Sequence, residues 1–153
     1  MKRFFVAFLA IFMLLSVPTI SYASDIKSDS YIEYYSDGSY TVTTIETSTI
    51  TVLANSTVSK YKTTTHYSSK SEKEWDVTVT GTFTYTGNSA TCTNSTVSYK
   101  IYDSNWKVTS SVASKSGRTA TGKFTLKRYV LGIPTKTVNE TLTLTCSNTG
   151  VCS

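Results

Sequence analysis

Apolar and polar residues alternate with a period of two along most of this chain. Trp75, Val77, Val79, Gly81, Phe83 and Tyr85 take odd positions, and Asp76, Thr78, Thr80, Thr82 and Thr84 lie between them. Successive side chains of a strand point to opposite faces, so such a run offers one face to a core and one to water. Val97-Tyr99-Ile101 repeats the pattern. Trp106, Val108 and Val112 carry it on even positions, as do Val138, Leu142, Leu144 and Cys146. Tyr40-Val42-Thr44 and Tyr61-Thr63-Thr65-Tyr67 are weaker versions, read with the tyrosines inward. The β-branched and aromatic content is what a pleated, half-buried surface favours.

Turn residues fall between these runs. Asp37-Gly38 separates Tyr31–Tyr35 from Tyr40–Ile45 and is the strongest hairpin signal. Gly87-Asn88, Asp103-Ser104-Asn105, Ser116-Gly117 and Gly132-Ile133-Pro134 mark further turns. Outside the N-terminal segment no stretch keeps a helical period. Eight or nine short strands with frequent turns predict an all-β, antiparallel two-sheet sandwich, immunoglobulin-like, with its strand order left open.

Residues 24–153 contain 28 threonines and 21 serines. Such a bias can mark a disordered stalk. Proline is almost absent, however, and Trp75 and Trp106 sit within a regular inward face, so the threonines read as solvated sheet faces. Asn55-Ser56-Thr57-Val58-Ser59 recurs as Asn94-Ser95-Thr96-Val97-Ser98 without further extension, and we read no tandem repeat.

The N-terminus breaks the β pattern. Met1-Lys2-Arg3 is followed by an apolar run from Phe4 to Val17, then Pro18, then small residues at Ser21 and Ala23. This is the three-part order of a secretory signal peptide. The run is shorter than the roughly 20 residues of a spanning helix. The expected organisation is a signal peptide at 1–23 and one β-sandwich domain at 24–153, secreted and extracellular, with no membrane span in the mature chain. No Leu-Pro-x-Thr-Gly signal with an apolar tail follows, so the reading is of a protein released or held non-covalently.

The formal net charge is +5. It is unevenly spread. Residues 24–59 carry Asp25, Asp29, Glu33, Asp37 and Glu46 against Lys27, whereas twelve Lys/Arg outnumber five Asp/Glu in 60–153. Acidic and basic strands could simply pair. Alternatively Lys100, Lys107, Lys115, Arg118, Lys123, Lys127 and Arg128 form a basic binding face for an anionic polymer.

Three cysteines remain for an oxidising compartment. Cys92 and Cys146 have similar settings, Thr91-Cys92-Thr93 and Thr145-Cys146-Ser147. A Cys92–Cys146 bridge is the expected pairing and Cys146–Cys152 the alternative. The spacings lack a Cys-x-x-Cys pair, so zinc is not expected.

Several catalytic motifs are declined. Gly117-Arg118-Thr119-Ala120-Thr121-Gly122-Lys123 begins like a phosphate-binding loop, but Phe124 stands where a magnesium-binding hydroxyl is needed, and a strand follows instead of a helix. His66 is the only histidine and, with Tyr61 and Tyr67 inward, is expected on the surface. Glu72, Glu74 and Asp76 lie on one strand face about 7 Å apart. Opposite Trp75 and Val77 they should be solvated, rather than a glycosidase pair or a calcium site. Asn55, Asn94 and Asn139 head formal glycosylation sequons.

The stretch Trp75-Asp76-Val77-Thr78-Val79-Thr80-Gly81-Thr82-Phe83-Thr84-Tyr85, with Cys92 and Leu142-Thr143-Leu144-Thr145-Cys146, resembles small secreted Thr/Ser-rich β proteins of Gram-positive, clostridia-type bacteria. The resemblance covers most of residues 24–153. It implies export, a bacterial source and the Cys92–Cys146 pairing, and it carries no site residues.

The expected function is therefore non-catalytic extracellular binding, with no catalytic residues, metal or cofactor. The expected partners are an anionic cell-wall polymer, a glycan or an extracellular protein, and not nucleic acid. A bacteriocin-like or toxin-like effector is the alternative, although no amphipathic membrane-seeking helix is visible. Oligomeric state is not legible.

Overall fold

The computed structural model describes the backbone of residues 26–48 and 56–153. The signal-peptide reading of residues 1–23 lies outside the described residues. Eight strands follow in order: β1 (Ile26–Tyr34), β2 (Tyr40–Ser48), β3 (Ser56–Tyr67), β4 (Lys73–Tyr85), β5 (Ala90–Ile101), β6 (Trp106–Ser116), β7 (Thr119–Val130) and β8 (Ile133–Thr145). All pairings are antiparallel, in one sheet ordered β1-β2-β3-β4-β5 and a second ordered β6-β7-β8. The fold is an all-β two-sheet sandwich. It shares face-to-face sheet packing with immunoglobulin-like domains, but its strand order is a plain meander where those domains use Greek-key connections.

One interior strand of each sheet, β4 and β7, supplies most of the core. Trp75, Val77, Val79 and Phe83 of β4 are fully buried and meet Ala120, Phe124 and Leu126 of β7. Leu142 and Leu144 of β8 close one side, Cys92 of β5 and Trp106 of β6 the other. Both strands carry a Gly-x-Phe pattern whose glycine and phenylalanine face inward, Gly81 with Phe83 and Gly122 with Phe124. In each, the phenylalanine ring lies over the glycine two residues before it. A Cβ at Gly81 would stand 2.5 Å from the Phe83 ring, and one at Gly122 would stand 2.8 Å from Val97 Cγ1 and 3.0 Å from Phe124 Cε2. The sheets approach closely because nothing projects there.

The outer side of β2 and β3 is not the side the sequence suggests. Thr41, Thr43 and Ile45 are buried, as are Lys60, Thr64 and His66, while Tyr61 is 45% exposed. The β3–β4 register places His66 opposite Trp75 and Thr64 opposite Val77. The strongly apolar face of β4 must be inward, so the even residues of β3 go inward with it. The tyrosines instead form an outer ladder: Tyr40 stacks on Tyr67 at 4.9 Å and lies 5.6 Å from Tyr34. Such cross-strand aromatic pairs bury ring area while leaving the hydroxyl wet. The inward polar groups pair across strands, as Thr43 Oγ1 and Thr64 Oγ1 do at 2.7 Å.

The expected Cys92–Cys146 bridge is not formed. Cys146 is joined to Cys152, and Cys92 is a buried free thiol. The β6–β7 turn separates the expected partners: Cys92 N donates to Gly117 O, and Cys146 N to Arg118 O. The C-terminal tail turns back, with Ser147 N donating to Val151 O at 2.7 Å and Thr145 and Ser153 exchanging backbone hydrogen bonds at 2.9 Å. That return sets Cys152 opposite Cys146.

Candidate functional site

A meander of antiparallel strands puts every second turn at the same end. The β1–β2, β3–β4, β5–β6 and β7–β8 connections therefore gather at one end of the sandwich. The β1–β2 turn is the expected Asp37-Gly38 hairpin, with Gly38 at φ +79°. The β3–β4 turn has neither glycine nor proline. Ser68 Oγ accepts from the backbone N of Lys70 and of Glu72 at 3.2 Å, and Ser71 takes φ +62°. The β5–β6 turn is tied down on both sides: Tyr102 N and Asp103 N donate to Glu74 O, and Tyr129 N donates to Asn105 O.

Between these turns lies a polar cleft of about 520 Å³. Its carboxylates are Asp37, Glu72, Glu74 and Asp103, and its cations Lys70, Lys73, Arg128 and Lys136. Its floor is the surprise. His66, only 1% exposed, stacks on Trp75 at 4.8 Å and 11° between planes. Trp106 crosses Trp75 edge-on at 6.0 Å. Trp106 Nε1 donates to Glu74 Oε2 at 3.0 Å, and His66 Nδ1 lies 2.9 Å from that oxygen. Arg128 Nη2 stands 4.0 Å from Glu74 Oε1. On the wall, Lys136 Nζ donates to Asp37 Oδ2 at 2.6 Å, tying β8 to the β1–β2 turn across 99 residues.

Two expectations are corrected here. His66 is buried, because the register with β4 turns it inward. Glu74 is buried too, beside a buried Trp75, because the β3–β4 ladder slips between His66 and Tyr67. Such a bulge breaks the alternation and re-aims a side chain. Glu72 stays exposed, and Asp76 accepts from Tyr102 Oη at 2.6 Å and from Lys73 Nζ at 3.2 Å. The three acids are thus not one row.

Burial governs the charges of the floor. It lowers His66 to about 4, with nearby Lys136 and Arg128 acting in the same direction, so the ring is neutral at neutral pH. Burial raises the Glu74 carboxyl. Lys136 and the Ser39 donors hold Asp37 well below the usual carboxylate range.

The seven basic residues do not form one face. Phe124 and Leu126 are buried, so Lys123 and Lys127 of β7 point outward. Lys107 of β6 stands directly opposite Lys127, with its ammonium 5.2 Å from the Tyr129 ring. These three share the outer face of the three-stranded sheet. Arg128 enters the cleft instead. Lys115 bridges the sheets by donating to Thr93 O at 2.7 Å, and Arg118 sits in the exposed β6–β7 turn. Lys100 lies on the other sheet opposite Asp76, 4.8 Å from the Tyr102 ring.

The outer face of β6–β8 has a second property. Its outward positions are mostly lysines, threonines and serines, with Asn139, Tyr129 and Val112, which stands opposite Lys123 and is 54% exposed. Glu140, the one acid in these strands, is paired with Phe124 and faces inward. Sequence reading found the lysines but not the cleft, whose Asp37, Glu74, Arg128 and Lys136 are scattered along the chain. The signal available was the set of alternate turns, once strand order was known.

No protein-family model matches this chain, and no curated protein matches it. Among solved structures, a hypothetical protein of Listeria monocytogenes EGD-e is similar at 15% identity over 82% of this chain and 92% of its own, with a TM-score of 0.43.

Proposed function

We propose that this is a secreted, non-catalytic binding domain that holds an anionic polymer of the cell surface. The observation that carries the reading is the carboxylate-free outer face of β6–β8 with Lys107, Lys123 and Lys127. Like charges directly opposite on neighbouring strands, as Lys107 and Lys127 are, destabilise a sheet. A polyanion lying across the face relieves that repulsion. Lys123 and Lys127 are roughly 13 Å apart by strand rise, a spacing an extended phosphate-bearing chain can follow. The flat threonine ladders between them let such a chain approach.

Sedimentation with purified bacterial cell walls tests this. The secreted protein should pellet at low salt and be released at high salt. A lysine near an anionic surface is worth about 1 kcal/mol on lipid membranes, so the triple variant K107A/K123A/K127A should bind up to about a hundredfold more weakly. Equal binding by the triple variant, or no binding by the parent protein, overturns the reading. Killing of neighbouring strains by the pure protein would favour the effector alternative.

A further inference from the structure

We propose that the cleft at the turn end of the sandwich is a second, separate binding site, for a neutral carbohydrate. It does not depend on the lysine face, since Lys107, Lys123 and Lys127 do not line it.

Three features point to a ligand. The cleft is built: its floor is a buried carboxylate, a buried imidazole and an indole N–H, and its rim is stapled by hydrogen bonds of the β1–β2, β3–β4 and β5–β6 turns. Polar atoms within it are left over. His66 Nε2 and the buried Nε of Arg128 make no hydrogen bond, and His66 Nδ1, although 2.9 Å from Glu74 Oε2, is not aligned for one. An unsatisfied buried donor or acceptor costs about 1–3 kcal/mol, so a small side-chain shift that brings these atoms onto a bound polar group is favourable. Finally, the lining is electrically balanced, with four carboxylates against four cations.

That balance selects the chemistry. A phosphate or carboxylate ligand would meet Glu74, Asp37 and Asp103. A cation would meet Arg128 and Lys136. A sugar hydroxyl is both donor and acceptor, so adjacent hydroxyls can donate to a carboxylate and accept from a guanidinium or ammonium at once. The Nδ1 side of the neutral His66 ring is taken up by Glu74 Oε2 at 2.9 Å, so the ring offers a ligand its Nε2 alone. Interleaved, oppositely charged walls therefore suit a polyol better than any ion.

The chain has two tryptophans, so its indole N–H region shows two resonances, and that of Trp106 reports on the Glu74 floor directly. Cellotetraose, maltotetraose and tetra-N-acetylchitotetraose are titrated in turn, with inorganic phosphate as the charged comparison. At least one sugar should shift the Trp106 resonance, with no effect of salt. E74Q at the floor and K136A on the wall should each weaken that sugar about tenfold, and the triple-lysine variant should bind it unchanged. The Lys136 side chain is part-exposed, so K136A keeps the test valid if E74Q does not fold. The proposal is overturned if no sugar moves Trp106, if phosphate alone does, or if the sugar shifts persist unaltered in K136A. None of these results bears on wall binding by the outer face.

Discussion

At the scale of single residues, His66 decides most. A ring buried against Trp75 and Trp106 cannot take a proton without desolvating a charge, and burial holds it near 4 rather than its ordinary 6.5. The unfolded chain therefore binds the extra proton first. Stability is complete above pH 6.5 and is lost as pH falls towards 4, by up to about 3 kcal/mol at 1.36 kcal/mol per unit. Glu74 works the other way: its raised carboxyl lowers stability as pH rises above the ordinary carboxylate range. Urea midpoints at pH 4, 5, 6 and 7 should show the loss on acidification in the parent protein and a flatter profile in H66Q. Parallel profiles would contradict the burial argument. Cys92 gives a second check at this scale. Burial raises its thiol, so the folded protein should take no alkylating adduct, the denatured protein one, and the denatured and reduced protein three. Three adducts before reduction would remove the Cys146–Cys152 bridge.

Between strands, the closest sheet approach lies at Gly81 and Gly122. Alanine at either position pushes a methyl into the facing ring or into Val97 and Val79, and overpacking of this kind costs about 1–3 kcal/mol. Thermal unfolding of G81A and G122A should show losses of that size, and unchanged melting would mean the sheets stand further apart. Element by element, legibility followed the contrast in the pattern. β4 was readable from Trp75 to Tyr85 because its odd positions there are all large or closely packed and four of its five even ones are threonine. β2 and β3 were not, because tyrosine serves equally well inside a core or in a surface ladder, and only the register with β4 decides. The disulfide was misread for a related reason: local setting makes Cys92 and Cys146 look alike, but the pairing depends on a tail that folds back over the strand end.

For the whole molecule, the charge asymmetry of the sequence resolves into geometry. Part of the basic half pairs with acids at the turn end, as Lys136 does with Asp37 and Lys73 with Asp76. The remainder that shares a surface is small, Lys107, Lys123 and Lys127, and its neighbours on that sheet face are uncharged. One end of the sandwich thus holds a balanced cleft, and one broad face holds a one-signed patch. The most direct test of the patch is a backbone NMR titration of the secreted protein with a soluble glycerol-phosphate polymer at low salt. Amide shifts should concentrate on Lys107, Ser110, Thr125, Lys127 and their neighbours on β6–β8 and vanish at high salt. Shifts gathered on the five-stranded sheet, or none at all, would contradict the assignment of this face to an anionic polymer.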